Sequence, residues 1–353
     1  MKKLLLGAGL SIVLLGAGCS GSSTPSGAGG VYGTADGGRT WAAMNTLPLA
    51  TGVSTISGAD ILSLTQDPSN PKVIYAGTRA NGLIMSVDGA KTWQRPPEDK
   101  AFELVKTGTV LDVEIDSKKP CTWYILKADR LIKTDTCGRT YNVNAYQEGN
   151  ASKQLTAMAL DWYDPSILWL GTTNGDVMRS TDGGNTWSTP VRLRDDISAI
   201  EVSRADSRVV LVGTKSKSMV HTNDSGATWV EHDKDFSKLA KSYYIHGYAQ
   251  TADGKMIYMS TDYGIFSSID NGTTWTPLTL ITAKGEVKIT AIGVARKNPN
   301  VLVYGTSSTF YRSTNGGQAW TTTDLPTTRM PSAILFTGES EVDMLLGVLA
   351  PAK

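Results

Sequence analysis

The segment Ser180-Thr181-Asp182-Gly183-Gly184-Asn185-Thr186-Trp187 is one copy of a template, Ser/Thr-x-Asp-x-Gly-x-Thr-Trp, that returns along the chain. The other copies are Thr34-ADGGRT-Trp41, Ser86-VDGAKT-Trp93, Thr222-NDSGAT-Trp229, Ser268-IDNGTT-Trp275 and Ser313-TNGGQA-Trp320. Their acidic positions are Asp36, Asp88, Asp182, Asp224 and Asp270. A degenerate seventh copy, Thr134-DTCGRT-Tyr141, carries Thr136 in place of Asp and Tyr141 in place of Trp. The residue types suit a turn: the aspartate accepts backbone N–H bonds, and glycine takes φ > 0 where the chain reverses. The tryptophan then starts a strand with its ring free to pack against a neighbour. Six of the nine tryptophans sit at this one position, so Trp serves here as a structural part.

The closing aromatic positions lie 42 to 52 residues apart, a period that suits a four-stranded propeller blade. Alternation around residues 180–187 reads as strands at 155–161, 167–171, 177–180 and from 186 onward. Turn clusters such as Asp67-Pro-Ser-Asn-Pro71 and Asp164-Pro165 separate first and second strands. Residues 31–46 hold only a third and a fourth strand, and residues 331–350 only a first and a second. An open ring would leave unpaired sheet edges, so the two incomplete ends are expected to pair. The expectation is an all-β, seven-bladed β-propeller of four-stranded blades, closed by its N- and C-terminal strands and spanning residues 31–353 as one domain.

These turns resemble the Asp-box, or bacterial neuraminidase (BNR) repeat. The resemblance covers nearly the whole chain after residue 30 and implies a structural role for the boxes. The sialidases of that group carry a Phe/Tyr-Arg-Ile-Pro arm near the N-terminus. The nearest string here, Thr328-Arg329-Met330-Pro331, lies at the other end and lacks the aromatic. Xyloglucan-cleaving propeller enzymes carry the same boxes and use a cleft between two propellers, whereas the strands counted here suffice for one. The chain is also similar to photosystem II assembly-factor-like and sortilin-type propellers, a resemblance that implies protein or peptide binding without an active site.

Composition and the chain start narrow the setting. A charged fraction of 19% with 40% hydrophobic residues describes a globular protein. Lys2 and Lys3 precede an apolar stretch from Leu4 to Leu15, and Leu15-Gly16-Ala17-Gly18-Cys19 follows. This resembles the lipobox of bacterial lipoproteins, which implies a signal peptide over residues 1–18, lipidation of Cys19 and attachment to the bilayer through that acylation. An ordinary secretory signal cleaved nearby is the alternative. Residues 19–30 then form the anchor and a flexible Gly/Ser tether. The expected location is the extracytoplasmic side of a bacterial cell envelope, on the outer membrane where two membranes are present. Without Lys2 and Lys3 the chain has 32 cations against 33 acids, which leaves no excess to neutralise phosphates; nucleic acid is not expected as a partner. No cofactor or metal is expected either: the three histidines at 221, 232 and 246 show no metal-ligand spacing.

Cys121 and Cys137 remain, placed symmetrically about Asp129 at a hairpin tip in the blade whose box has lost Asp and Trp. They are expected to form a disulfide, with two free thiols as the alternative. Aligned inner strands (Ile61-LSLTQ, Val110-LDVEI, Leu155-TAMAL, Ile197-SAIEV, Ile245-HGYAQ, Ile289-TAIGV) have small third residues except Asp112, and put Glu114 and Glu201 at one shared position. His246 stands between Tyr244 and Tyr248. Carboxylates on inner strands line a wet channel or pair with cations, and both readings stay open. Arg79, Arg192, Arg194 and Tyr263 are added as candidate binding residues on the rim opposite the boxes. Two function classes follow: a non-catalytic, membrane-anchored binding or assembly propeller that is not an enzyme, with a protein or peptide partner, and, as the alternative, a carbohydrate-active enzyme or glycan-binding propeller.

Overall fold

The computed structural model describes residues 27–97 and 102–351; residues 1–26, including Lys2, Lys3 and Cys19, and most of the tether lie outside the described residues. Seven antiparallel sheets are built from innermost strands Ile61–Gln66, Asp112–Ile115, Leu155–Leu160, Ile197–Val202, Ile245–Gln250, Ala291–Ala295 and Met330–Phe336, which define blades 1 to 7. Each innermost strand packs against those of both neighbouring blades all the way round, so the ring is a closed seven-bladed β-propeller. Blade 3 shows the pattern: Leu155–Leu160, Leu168–Thr172, Asp176–Ser180 and Ser188–Arg192, each hydrogen-bonded to the next. Blade 1 differs, because its outermost strand is reduced to the bridge Met85↔Gln94. A hairpin of Thr46–Leu49 and Gly52–Thr55 stands outside the ring and was not anticipated by the alternation pattern. No helix among the described residues is long and apolar enough to cross a membrane.

Closure takes the expected form. Blade 7 runs from the inside as Met330–Phe336, Met344–Leu349, Gly30–Thr34 and Ala42–Ala43, with Gly30 opposite Val348 and Thr34 opposite Met344. The seam also has a polar latch. Asp60 Oδ1 accepts from Arg329 Nη1 at 2.5 Å and from the Ala350 amide at 2.8 Å, while Arg329 Nε donates to the Gly27 carbonyl at 2.7 Å. The carboxylate thus holds two C-terminal segments, and Arg329 joins them to the N-terminal Gly27.

Second strands such as Ile74–Thr78, Leu168–Thr172 and Val210–Thr214 are buried at every residue, because neighbouring blades cover both faces. The repeat tryptophans help make that cover. Trp229 of blade 4 meets Trp169 of blade 3 edge-on at 6.0 Å, and Trp187 donates its Nε1–H to the Ala145 carbonyl of blade 2 at 3.0 Å. The turn preceding each ring is self-contained. In blade 3, Asp182 Oδ1 accepts from the Ser180 hydroxyl and from the amides of Asn185 and Thr186, and Asp182 Oδ2 accepts from the Thr186 hydroxyl at 2.6 Å. Gly183 and Gly184 have φ of 69° and 87°, which side chains with a Cβ rarely adopt. In the degenerate blade 2 turn, the Thr136 hydroxyl accepts the Thr140 amide at 2.9 Å in place of a carboxylate. Cys121 and Cys137 are joined in a disulfide there, with Cα atoms 4.1 Å apart. They lie in the turns beyond the strands Trp123–Leu126 and Arg130–Thr134. The bridge therefore ties one turn of the box face to another.

Two outcomes test closure. Removing residues 330–351 takes away the two inner strands of blade 7 and should abolish a single cooperative urea transition. Arg329→Ala, which breaks the latch alone, should keep the transition and lower stability by about 2 kcal/mol, the scale of hydrogen bonds to charged groups.

Candidate functional site

The inner strands converge on a central channel that contains a cavity of about 360 Å³. In five blades the pairing slips by one residue after the strand's start, between Ile61 and Ser63, Leu155 and Ala157, Ile197 and Ala199, Ile245 and Gly247, and Pro331 and Ala333. Such bulges leave one residue unpaired and re-aim it. The residues so released, Leu62, Thr156, Ser198, His246 and Ser332, all line the cavity. Plain alternation of side chains does not predict that ring. The hydroxyls of Ser63, Thr156, Ser198 and Tyr248 line it too, buried and without a hydrogen-bond partner.

Three carboxyl groups occupy this axis. Asp112 lines the 360 Å³ cavity, and Glu201 lines a second cavity of about 220 Å³ next to it, with Tyr248, Ile292 and Ile334 common to both. Glu114 interacts electrostatically with both acids. Each keeps some surface open to the channel while protein surrounds it. Burial first, then the charge of Glu201, pushes the Asp112 carboxyl up to about 7, against the pull of the Val113 amide that it accepts at 2.8 Å. Burial and the charges of Asp112 and Glu201 push Glu114 well above the carboxylate range, opposed by Arg204. Burial also raises Glu201, but Arg204 and a hydrogen bond from Gln250 Nε2 oppose it. The aligned strand positions offer no cation, as the sequence indicates. The structure brings one, Arg204, from the turn after the blade 4 strand, near enough to act electrostatically on Glu114 and Glu201.

At the channel wall, His246 Nε2 meets Asp262 Oδ1 at 2.6 Å, and the Tyr244 ring lies 4.3 Å from the imidazole. Burial lowers the His246 pKa, with Asp262 opposing. The four rim candidates do not converge. Arg79 reaches Asp60 at 3.4 Å on the seam, Arg192 reaches Asp176 at 3.2 Å, and Tyr263 stacks on Phe266 at 5.6 Å with Lys284 over its ring. Arg194 takes φ of 55° in the connection leading to blade 4. Sequence reasoning missed Arg204, which lies off the aligned strands. It also missed a buried contact of His221 Nδ1 with His232 Nε2 at 2.6 Å, which continues from His232 Nδ1 to Asp235 Oδ2 at 2.8 Å. The strand and the short helix that carry these groups meet only in three dimensions.

No family model matches the chain. A curated relative, a xyloglucanase of Hypocrea jecorina (strain QM6a), is 24% identical over 269 residues, which cover 71% of this chain and 29% of the relative. The chain therefore spans less than a third of that enzyme's length. Among solved structures, the GH74 xyloglucanase from Xanthomonas campestris superposes with a TM-score of 0.64 at 16% identity, covering 82% of this chain and 51% of that one. YCF48 from Cyanidioschyzon merolae superposes with a TM-score of 0.62 at 13% identity, covering 86% and 98%. These structural likenesses establish the fold: a seven-bladed propeller. The matched xyloglucanase sequence corrects the expectation of a non-catalytic binding or assembly propeller that is not an enzyme. That expectation rested on a count of one propeller's strands, and a chain can share its sequence with part of a larger enzyme.

The carboxyl groups make stability depend on pH in two opposite ways. In the channel the folded-state pKa values lie above the unfolded ones, so their contribution is greatest at low pH and is lost as pH rises from about 4 through 7. In the boxes, hydrogen bonds from Thr186 and Thr228 lower Asp182 and Asp224 to about 2, so their contribution holds above pH 4 and is lost as pH falls toward 2. Melting temperature should therefore peak in weak acid. In Asp112→Asn/Glu114→Gln the decline between pH 5 and 8 should flatten while the acid limb stays.

Proposed function

We propose that this propeller is a glycan-acting protein of the glycoside hydrolase kind, directed at a β-glucan of the xyloglucan class. The observation that carries the proposal is the set of three axial carboxyl groups with unequal proton affinities, and the similarity to a xyloglucanase over 269 residues supports it. Glycoside hydrolysis needs one carboxyl that still holds its proton near neutrality and one that is ionised. Asp112 and Glu114 suit the first task, because burial favours the protonated form of both, helped by the charge of Glu201 at Asp112 and by those of Asp112 and Glu201 at Glu114. Glu201, next to Arg204 and held by Gln250, suits the second. In the step itself, the acid's proton passes to the glycosidic oxygen as the bond to the anomeric carbon breaks. Water adds to that carbon and gives its proton to the ionised carboxylate. The ring of Tyr244 beside the Asp262-bound His246 offers an aromatic face to a sugar.

The test is release of reducing ends from xyloglucan by the full chain. We expect activity in the wild type and a fall of at least 100-fold in both Asp112→Asn and Glu201→Gln, with folding retained. A wild type that cleaves neither xyloglucan nor other β-glucans overturns the proposal.

We further infer that the repeated turns belong to the Asp-box group and that the chain is a lipoprotein of the bacterial envelope, facing away from the cytoplasm. The leader before Cys19 and the Cys121–Cys137 disulfide support this setting. Cys19→Ser should release the protein from the membrane fraction. A variant that still sediments with membranes after a salt wash contradicts the anchor.

A further inference from the structure

The hairpin of Thr46–Leu49 and Gly52–Thr55 takes no part in the ring, and neither closure nor the channel uses it. It lies within residues 40–59, which hold no Asp, Glu, Lys, Arg or His, the longest such run among the described residues of a chain that is 19% charged. At its base, Leu47 packs on the core cluster that contains Val31 and Ile56. Beyond that point the strands leave the body, and Pro48, Leu49, Ala50 and Val53 are exposed, Leu49 by 53% and Val53 by 78%. The register sets Pro48 opposite Val53 and Leu49 opposite Gly52. Alternation therefore puts Pro48 and Val53 on one face and Leu49 on the other, so the tip is apolar on both. The base also lies against the start of the fold. The Gly29 amide donates to the Ser57 carbonyl at 2.6 Å, the Gly30 amide to the Ala59 carbonyl at 2.9 Å, and Asn45 Nδ2 to the Gly29 carbonyl at 3.2 Å. Residues 19–26, which carry the proposed anchor, thus join the fold beside both ends of the hairpin.

A protein partner with a flat surface would cover one face of the tip and leave the other wet. A bilayer interface surrounds an inserted tip and covers both. Charged side chains would oppose that insertion, and this segment has none. Depth is limited by the backbone: a two-stranded sheet keeps unpaired groups on its outer edges, which hydrocarbon cannot satisfy, so the tip belongs at the headgroup boundary. The lengths agree with this placement. Fully extended, the eight residues 19–26 span at most about 29 Å, and a four-residue strand spans about 14 Å. Cys19 and the tip can therefore reach one surface. We propose that residues 48–53 form a second membrane contact, which enters the lipid interface beside the acylated Cys19 and fixes the orientation of the propeller. This goes beyond the hydrolase reading and rests on the lipoprotein reading for the nearby bilayer. Two large apolar side chains are a weak hold, so the contact orients the protein without retaining it through a wash once Cys19 is replaced.

The test uses the full chain purified from membranes and returned to vesicles of phosphatidylethanolamine and phosphatidylglycerol. With Cys19 acylated and Cys121 joined to Cys137, Val53→Cys supplies the one free thiol, which takes a nitrobenzoxadiazole fluorophore. Ile269→Cys, at a box-turn position that is 77% exposed, is the matched control. The label at residue 53 should emit to the blue of the label at 269, and lipid carrying a headgroup nitroxide should quench it at least 3-fold more. Adding Leu49→Ser should lower that quenching at least 2-fold, and an unchanged melting temperature excludes a folding defect. A label at 53 that stays in water and is quenched no more than the one at 269 overturns the contact. A blue shift without quenching by the nitroxide lipid shows a protein neighbour, a second copy where it grows with protein concentration, and overturns it too. Mass spectrometry of the N-terminal peptide separates the two readings. Acylated Cys19 with the label in water removes the hairpin contact alone. An unlipidated chain, labelled at residue 53 in a Cys19→Ser background and quenched on adding excess vesicles, keeps the contact and removes the anchor.

Discussion

Seven sheets share one axis only if their innermost strands come close enough to touch, and that convergence sets the terms for the rest of the molecule. It requires small residues where the strands crowd, met here by Ala157, Ala199, Gly247, Ala291 and Ala333. It buries the second strands on both faces, which is why they read as unbroken apolar runs. It also creates an axis from which bulk water is partly excluded. Any charge placed there is worth more, and costs more, than at the surface.

The repeat was legible because each blade solves the same local problem with the same residues. A turn that satisfies its own amides through one carboxylate, followed by an aromatic ring on the preceding blade, leaves a signature at a fixed spacing. Closure was legible from the unequal ends of the chain. The bulges were not, since a single unpaired residue leaves the two-residue alternation intact to the eye while turning His246 and Ser198 toward the axis. The hairpin at residues 46–55 was hidden for a different reason: most of its residues are exposed and bury no patterned face.

Part of the candidate site was visible as departures from the repeat. Asp112, Glu114 and Glu201 stood out because the equivalent positions in most other blades are small or neutral. The cation that acts on Glu114 and Glu201 did not stand out, because Arg204 lies in the turn after the blade 4 inner strand, off the aligned positions. The rim arginines illustrate the converse. Their charges suggested a ring of binding groups, yet Arg79 and Arg192 satisfy local carboxylates and leave the axis to other residues. The candidate site therefore lies where the repeat is broken, and the intact boxes hold turns.

The central claim is that the axis holds carboxyl groups whose proton affinities differ. It is tested most directly by following the side-chain carboxyl carbons of Asp112, Glu114 and Glu201 by NMR as pH is varied in the full chain. Asp112 should titrate with a midpoint near 7, Glu114 should remain protonated above the ordinary carboxylate range, and each midpoint should shift when another of the three is amidated. Three independent midpoints near 4, the ordinary value for solvated carboxyls, would contradict the account.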